Sequence, residues 1–233
     1  MPRITLPAAV LAMVAALAAP PVLAECRDQP VAGVDWTGCS KERLMLEGAD
    51  LTGAILDRAF LSGSGLEGAK LSGASLTRAE LVRASLAGAD LTGADLEKAL
   101  ASRADFSGAV MKGARLVKAE FLRVSFRGAD LTGADLSDGD FHRNDFSQAK
   151  LGGARFSGAL VPRAIFAGAD LAGTDFSAAI VDMARFDGSD LSGATGLTQA
   201  QIDTACGDGR TKLPQGLTAP AGWPCAPMED TTP

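Results

Sequence analysis

Residues 88–96 read GADLTGADL, and the same nine letters recur at positions 128–136. They belong to a five-residue repeat: from Leu46 to Leu191 every fifth residue, which we call the centre of its unit, is large and apolar, with one exception at Ala101. These thirty centres comprise seventeen Leu, nine Phe, two Val, one Met and one Ala, and the residue two positions earlier is Ala in twenty-three units. A period of five fits neither an α-helix nor a β-strand. It predicts a solenoid whose chain turns a corner every five residues.

A square coil takes four such units, so residues twenty apart should stack in columns. The thirty centres then fall on four faces, with positions 46 to 186 on face 1, 51 to 191 on face 2, 56 to 176 on face 3 and 61 to 181 on face 4. Side-chain size segregates by face, because face 2 has no Phe while the later part of face 1 has nothing else. The aromatic stack predicted on face 1 comprises Phe106, Phe126, Phe146, Phe166 and Phe186.

The lapse at Ala101, on face 4, has two explanations. The bulky Phe121 of the next coil compensates for the small side chain in volume. Alternatively, the neighbouring Leu100 marks a local slip of the register. The first explanation requires only an adjustment of packing, and it is the one expected here.

The N-terminal residues have the pattern of a secretory signal peptide. Arg3 gives a positive start, residues 8–19 form an uninterrupted apolar run, and small residues precede a cleavage site after Ala24. The run is too short for a transmembrane helix, so the mature chain is expected to have no transmembrane segment and to be periplasmic or secreted. Lipidation at Cys26 is the alternative, but Glu25 stands where a lipid-attachment signal needs a small residue.

The four cysteines flank the repeat, two on each side, and export makes disulfides permissible. Four cysteines allow three pairings. A rod between the two pairs would hold them apart, which favours Cys26 with Cys39 and Cys206 with Cys225. Each bond would close a short loop and stabilise the fold by about 2–4 kcal/mol. A zinc site is the competing interpretation, but the cysteine spacings match no zinc finger.

The units at 49–53 and 89–93 both read ADLTG and resemble the A(D/N)LXX motif of the pentapeptide repeat family. The resemblance covers thirty units without insertion. It implies an all-β fold, a right-handed quadrilateral parallel β-helix of about seven coils, with coils spaced by roughly 4.8 Å. The flanking segments 33–39 and 197–225 are similar to the end segments of exported proteobacterial members.

These patterns divide the chain into four parts: a signal peptide at 1–24, an N-terminal cap at 25–45, the β-helix at 46–194 and a C-terminal cap at 195–233. The caps are expected to cover the end rungs, whose free backbone groups invite aggregation. In the second cap a short capping helix is predicted from Thr198 to Cys206, because Thr198 and Gln201 form a capping box and Gly207 ends the helix. A dimer contact is the alternative role, so the protein is expected to be a monomer or a homodimer through this segment.

The residue before each centre faces solvent, and along two faces its charge alternates. The face 2 column is Asp50, Lys70, Asp90, Val110, Asp130, Lys150, Asp170 and Asp190, and the face 3 column is Ser75, Asp95, Arg115, Asp135, Arg155 and Asp175. Like charges one coil apart repel, whereas opposite charges pair. Some members of the pentapeptide repeat family, which this chain resembles, mimic DNA and bind a type II topoisomerase through continuous acidic columns. The basic residues that interrupt both columns here argue against that function.

The position two after each centre is Gly on two faces and basic on the other two. We call Arg83, Arg103, Arg123, Arg143 and Arg163 the arginine column, and Arg58, Arg78, Lys98 and Lys118 the second basic column. Glu80, Glu120 and Asp140 lie three residues before members of the arginine column and are expected to neutralise part of it. The arginine column is either a salt-bridged solvated face or a stripe that binds phosphate or carboxylate groups of a partner.

Nothing in the sequence supports an enzyme. The only histidine, His142, is on an outward position without a base or nucleophile beside it, and the aspartates form no loop with calcium spacing. No cofactor or metal is expected. Removal of the signal peptide takes away Arg3 and changes the formal net charge from −6 to −7, so nucleic acid is not the expected partner.

The sequence therefore predicts a non-enzymatic, exported structural or interaction module that presents charged columns on a rigid β-helix. The expected partner is an unknown protein or an anionic component of the envelope. One alternative is an inhibitor or effector, such as a DNA-mimic topoisomerase binder. The other is an anion-binding surface protein that uses the arginine column.

Overall fold

The structure, a computed structural model, describes residues 26–226. The predicted signal peptide and its cleavage site lie outside these residues. Between Asp35 and Thr195 the backbone forms parallel β-bridges that join residues twenty apart, from Asp35 with Ile55 to Asp175 with Thr195. The chain therefore winds into a four-sided parallel coil of twenty residues per turn. Most sides contribute only one bridge residue per coil.

Hydrogen bonds repeat from unit to unit in this coil. In the unit centred on Leu71, its N–H donates to the Asp90 carbonyl of the next coil at 2.6 Å, and the Gly73 N–H donates to the Thr92 carbonyl at 2.9 Å. The Ala74 N–H closes the corner by donating to the Leu71 carbonyl at 3.0 Å. Gly73 has φ +64°, the left-handed conformation that the third residue of a type II turn requires. Each five-residue unit is thus one short side followed by one tight turn.

All thirty predicted centres are buried, none of them more than 5% exposed. The phenylalanines of face 1 lie one above another, with successive ring centroids from Phe106 to Phe186 separated by 5.3, 4.9, 5.0 and 5.1 Å. Such offset stacks add about 0.5–1.5 kcal/mol per pair to the burial of the rings. The core is a continuous column of side chains, one layer per coil.

Two short strands are present in the described residues, and both are on face 4. Strand β1 (Leu100–Ser102) pairs in parallel with β2 (Glu120–Leu122), with Ala101 opposite Phe121. Ala101 is fully buried and Leu100 is 37% exposed, so the centre stays in register and the slip is excluded. The centroid of the Phe121 ring lies 5.6 Å from that of Phe106, so the Phe121 ring fills the space beside Ala101.

The N-terminal end continues the coil before the first predicted unit. Trp36 occupies a buried centre position, and the Lys41 ammonium lies 3.7 Å above its ring. Lys41 also donates to the Cys26 carbonyl at 2.8 Å, and burial lowers the pKa of this lysine. The structure joins Cys26 to Cys39 by a disulfide. Bridges thus reach into the predicted N-terminal cap.

At the C-terminal end a helix interrupts the coil and the coil then resumes. Helix α1 (Gln199–Thr204) starts at the capping box of Thr198 and Gln201, as predicted. It ends earlier than the predicted Cys206, because Cys206 has returned to the sheet and pairs with Arg185. The ladder continues to Lys212, which pairs with Asp190, and the structure joins Cys206 to Cys225. No helix in residues 26–226 has the length and apolar character that a membrane span requires.

Candidate partner-binding surface

Each basic residue in the charged columns of faces 2 and 3 pairs with an aspartate of a neighbouring coil. On face 3, Arg115 and Arg155 contact Asp95 and Asp135 of the preceding coils at 3.4 and 2.5 Å. On face 2, Lys70 lies 3.9 Å from Asp50, and further pairs join Lys150 to Asp130 and Lys212 to Asp190. Exposed pairs of this kind contribute about 0–1 kcal/mol each. They interrupt the acidic surface, as the alternation in the sequence predicts.

The Lys212 pair also perturbs the acidity of its partner. The Lys212 ammonium donates to Asp190 Oδ2 at 2.8 Å, and Ser192 donates through both its hydroxyl and its N–H to Asp190 Oδ1. These contacts lower the pKa of Asp190 to about 2, with the Lys212 hydrogen bond as the largest cause. The acidic column is therefore charged and paired at its C-terminal end.

The arginine column lies at the corner that follows face 4, and every one of its residues has a positive φ. The values for the five arginines are between 56° and 57°. The same corner position on faces 1 and 2 is usually Gly, which adopts this conformation without strain. A residue with a side chain costs about 1–2 kcal/mol more there. Backbone preference therefore does not explain the arginines, and sequence reasoning missed this conformation.

The expected neutralisation of the arginine column is wrong. Among residues 26–226, no acidic oxygen lies within 4.0 Å of a nitrogen of any column arginine. Glu80, Glu120 and Asp140 are bridge residues on the side of face 4, whereas the arginines are left-handed residues in the turn that follows. A spacing of three residues across this turn therefore does not bring the carboxylate and the guanidinium group together. The column is a ladder of guanidinium groups, one per coil, without ion-pair partners in the described part of the chain.

Face 4 is also the most apolar part of the outer surface. Of the eleven large apolar side chains that residues 26–226 leave exposed, seven are on face 4 or on the corner after it. They are Phe60, Val82, Leu100, Leu122, Leu160, Ile180 and Met183. We call face 4 and its following corner the face 4 surface. The second basic column lies along the corner before it, so two basic columns border the apolar side chains.

The corner after face 4 carries a further arginine that the sequence pattern did not include. Arg43 lies two coils before Arg83 at the same repeat position and has φ 53°. Between them is Gly63, the one glycine in this column of arginines. A cavity of about 410 Å³ opens at this gap and reaches from Glu42 to Arg103. We call it the Gly63 notch.

The histidine and the acidic side chains are the remaining candidates for catalysis or metal binding. His142 is partly exposed at the corner after face 4, and its backbone N–H, not its imidazole ring, donates to Asp140 Oδ1 at 3.1 Å. No group of three or more His, Cys, Asp or Glu side chains in residues 26–226 is placed to hold a metal ion. Two buried side-chain nitrogens there have no hydrogen-bond partner, on Trp36 and Asn144, and both are inside the core.

Comparison with known proteins gives one family match. The family model described as pentapeptide repeats matches in eight copies, over residues 45–81, 65–97, 79–116, 125–160 and 163–193. Together these matches cover more than half of the chain. No curated protein matches the sequence significantly.

Solved structures of the same repeat class resemble the fold. HetL, a pentapeptide repeat protein involved in heterocyst differentiation regulation from the cyanobacterium Nostoc, is 25% identical with a TM-score of 0.50, over 76% of this chain and 86% of HetL. QnrB1, a plasmid-mediated fluoroquinolone resistance protein, is 25% identical with a TM-score of 0.39, over 79% of this chain and 89% of its own. A pentapeptide repeat protein of the Arabidopsis thaliana thylakoid lumen is 35% identical with a TM-score of 0.34, over 39% and 67%.

Proposed function

Because the chain belongs to the pentapeptide repeat family, we propose that it is a non-enzymatic interaction module that binds its partner through the face 4 surface. Proteins of this family fold as right-handed β-helices and are generally structural or interaction modules that mediate protein contacts. What is specific to this chain is which side of the rod faces the partner.

One observation carries the proposal: within residues 26–226 the guanidinium groups of the arginine column have no ion-pair partner and lie beside exposed apolar side chains, whereas the basic residues in the columns of faces 2 and 3 are all paired. Arginine is enriched at protein interfaces, and the buried core of an interface is more apolar than the rest of the surface, whereas charges that pair internally leave less for a partner. The arginines also stand at a strained backbone position where Gly would be more stable. Their side chains are best explained by a contact outside the rod.

The chemistry of this surface defines the partner's surface. It should offer carboxylate or phosphate groups at the height of the arginine column, and apolar side chains opposite Leu100 and Leu122. An acidic protein of the envelope or an anionic envelope component has these groups. Nucleic acid fits less well, since the surface also carries Glu80, Glu120 and Asp140.

We place this function outside the cytoplasm. The support is the predicted signal peptide together with the two cysteine pairs at disulfide distance, since such bonds persist in oxidising compartments. Cell fractionation that found the mature protein reduced in the cytoplasm would contradict the location.

The ends of the rod have a structural role in this proposal. The rod comprises about seven coils, and helix α1 with the segment to Cys225 covers the last rung, where free backbone groups would otherwise pair with another chain. Ile202 of the helix is fully buried, and Gln201 donates to the Phe176 and Ala179 carbonyls at 3.1 and 2.8 Å. A monomer by light scattering supports the cap, and a dimer that dissociates when this helix is altered would assign it to a subunit contact.

A pull-down from envelope extract after chemical cross-linking tests the surface. The variant Arg103→Gly/Arg123→Gly/Arg143→Gly removes three guanidinium groups and stays folded, because Gly suits the positive φ. The matched control, Lys70→Ser/Arg115→Ser/Arg155→Ser, removes three cations that already have partners. We expect the first variant to lose the partner that wild type and control retain. Equal recovery by all three proteins would remove the face 4 surface from the proposal.

A DNA-mimic function requires a different surface. The acidic columns of this rod are interrupted by basic residues that bind their neighbours, so a continuous negative stripe is missing from faces 2 and 3. We expect the mature protein to leave gyrase supercoiling unchanged at concentrations where the envelope partner binds. Clear inhibition would reverse the ranking of the two functions.

A further inference from the structure

We propose that the Gly63 notch is a binding site for a phosphate group, held between Arg43, Arg83 and Arg103. The proposal rests on the function above, because it assigns an anchor point within the face 4 surface. The notch proposal names one cavity and one ligand group, so it can fail while the face 4 surface still binds a partner.

The notch exists because one side chain is missing from the arginine column. Coils are about 4.8 Å apart, so Arg43 and Arg83, on either side of the Gly63 coil, are separated by roughly 10 Å along the rod. A β-carbon added at Gly63 would lie 3.3 Å from Arg43 Cγ, which places the stem of Arg43 across the glycine. The resulting cavity of about 410 Å³ is within the size range of small-molecule sites.

The residues that line the notch have hydrogen-bond donors for an anion, and its arginines are not already held in ion pairs within residues 26–226. Arg43, Arg83 and Arg103 line the notch, and none of the three has an acidic oxygen within 4.0 Å in residues 26–226. The hydroxyl-bearing side chains of Ser62 and Ser102 also line it. Guanidinium groups recognise oxyanions through paired N–H donors, and hydroxyls add further donors.

The charge of the site favours phosphate over carboxylate. Three arginines and one acid, Glu42, line the cavity, so its formal net charge is +2. A phosphate monoester carries about −1.5 to −2 at neutral pH and has three strong acceptor oxygens, whereas a carboxylate carries −1 and has two. A tetrahedral group can also accept from guanidinium groups above and below it along the rod. The exposed Val82 also lines the notch and can contact an apolar part of the ligand.

Gly63→Arg gives a sharp test, because it fills the notch while it adds a positive charge. Simple electrostatic attraction predicts tighter phosphate binding to this variant, whereas a shaped site predicts weaker binding. Gly53→Arg is the matched control, since Gly53 has the same repeat position and φ +64°, with open space around it. Both variants accept the same backbone strain.

Isothermal titration with inorganic phosphate at pH 7.5 measures the site directly. We expect wild type and Gly53→Arg to bind phosphate with similar affinity. Gly63→Arg should bind it about tenfold or more weakly, because the added side chain takes up the space of the ligand and costs it at least one charge-assisted hydrogen bond to the notch arginines. Absence of phosphate binding to wild type, unchanged binding in Gly63→Arg, or equal binding of acetate would each overturn the proposal.

Short-chain polyphosphate distinguishes a free phosphate from one carried on a polymer. Arg123→Gly/Arg143→Gly removes column arginines outside the notch, so binding of inorganic phosphate should persist in this variant. If this variant loses affinity for polyphosphate but not for inorganic phosphate, the notch binds one phosphate of a polymer that runs along the arginine column. Equal affinity in wild type and variant assigns it to a free or terminal phosphate. Loss of inorganic phosphate in this variant would show that the notch is not the site.

Discussion

Ala101 lies directly opposite Phe121 in the parallel pairing of β1 and β2, and both side chains are fully buried. Ala101 is the one centre of the thirty that is not large, and Phe121 is the face 4 centre of the next coil. The Phe121 ring also lies 5.6 Å from Phe106 and 6.0 Å from Phe126, so it packs across the core toward face 1. The volume missing at one centre is supplied by its neighbours.

This relationship predicts a strong coupling between the two positions. Ala101→Leu restores the consensus residue but overpacks the layer, and we expect it to destabilise the protein by about 1–3 kcal/mol. Phe121→Leu leaves a void and should cost about 1–2 kcal/mol. The double variant should lose at least about 1 kcal/mol less free energy of unfolding than the sum of the two single losses, measured by urea unfolding followed by circular dichroism. Strict additivity would show that the two side chains do not compensate for each other.

Replacing column arginines by Gly should stabilise the rod. Arg103, Arg123 and Arg143 all have φ near +57°, and Gly relieves about 1–2 kcal/mol of strain per site while it adds entropy to the unfolded chain. We expect a net gain of up to about 1 kcal/mol per substitution in thermal or urea unfolding. Arg115→Gly is the contrasting change, since Arg115 is at a bridge position and pairs with Asp95, and it should lose stability. A loss of stability in the triple variant would mean that the arginines support the fold.

The two disulfides should stabilise the ends of the rod. They join cysteines 13 and 19 residues apart, and closing a loop of this length contributes about 3 kcal/mol in the chain-entropy model. We expect Cys206→Ser/Cys225→Ser to unfold at lower guanidinium concentration than wild type, and added reductant to reproduce the effect in wild type. Peptide mapping under non-reducing conditions identifies the connectivity. Any link between an N-terminal and a C-terminal cysteine would contradict the rod.

The Asp190 carboxyl should titrate with a midpoint of about 2 in the folded protein. Its pKa in the unfolded chain is about 3.9, so the folded value is the lower one. The linked stability is therefore present above about pH 4 and is lost as the pH falls through about 2. Carboxyl-carbon NMR can follow this group, and Lys212→Met should move the midpoint upward. A wild-type midpoint near 4 would show that the Lys212 contact does not persist in solution.

The coil could be predicted from the sequence because its period is set by the core. A five-residue repeat with a large apolar residue at nearly every centre leaves one way to bury every centre, so the register and the stack from Phe106 to Phe186 followed from spacing alone. The capping box at Thr198 was visible for a similar reason, since its two side chains satisfy local backbone groups. The length of the helix was not visible, because it ends where Cys206 pairs with Arg185, a contact of long sequence separation.

The surface was harder to predict, because solvent-facing side chains are not constrained by the period. The arginines could be identified as a column from the sequence. Their left-handed backbone, and the absence of ion pairs to them within residues 26–226, could not, because both depend on the geometry of the turn. Glu80 and Arg83 are three residues apart in sequence, which suggested a pair, yet the turn between them separates their directions. Arg43 was missed because Gly63 interrupts the column. Its signal was present in the spacing of forty residues to Arg83.

Site-specific photo-cross-linking in cells that export the protein would show which face of the rod meets the partner. A photoreactive amino acid at Leu122 samples the face 4 surface, and the same residue at Thr132 samples the equivalent turn position after face 2; both positions are exposed. We expect a cross-linked partner from position 122, its loss when Arg103, Arg123 and Arg143 are replaced by Gly, and no such product from position 132. A partner captured from position 132, or equally from both positions, would contradict the assignment of face 4 as the binding surface.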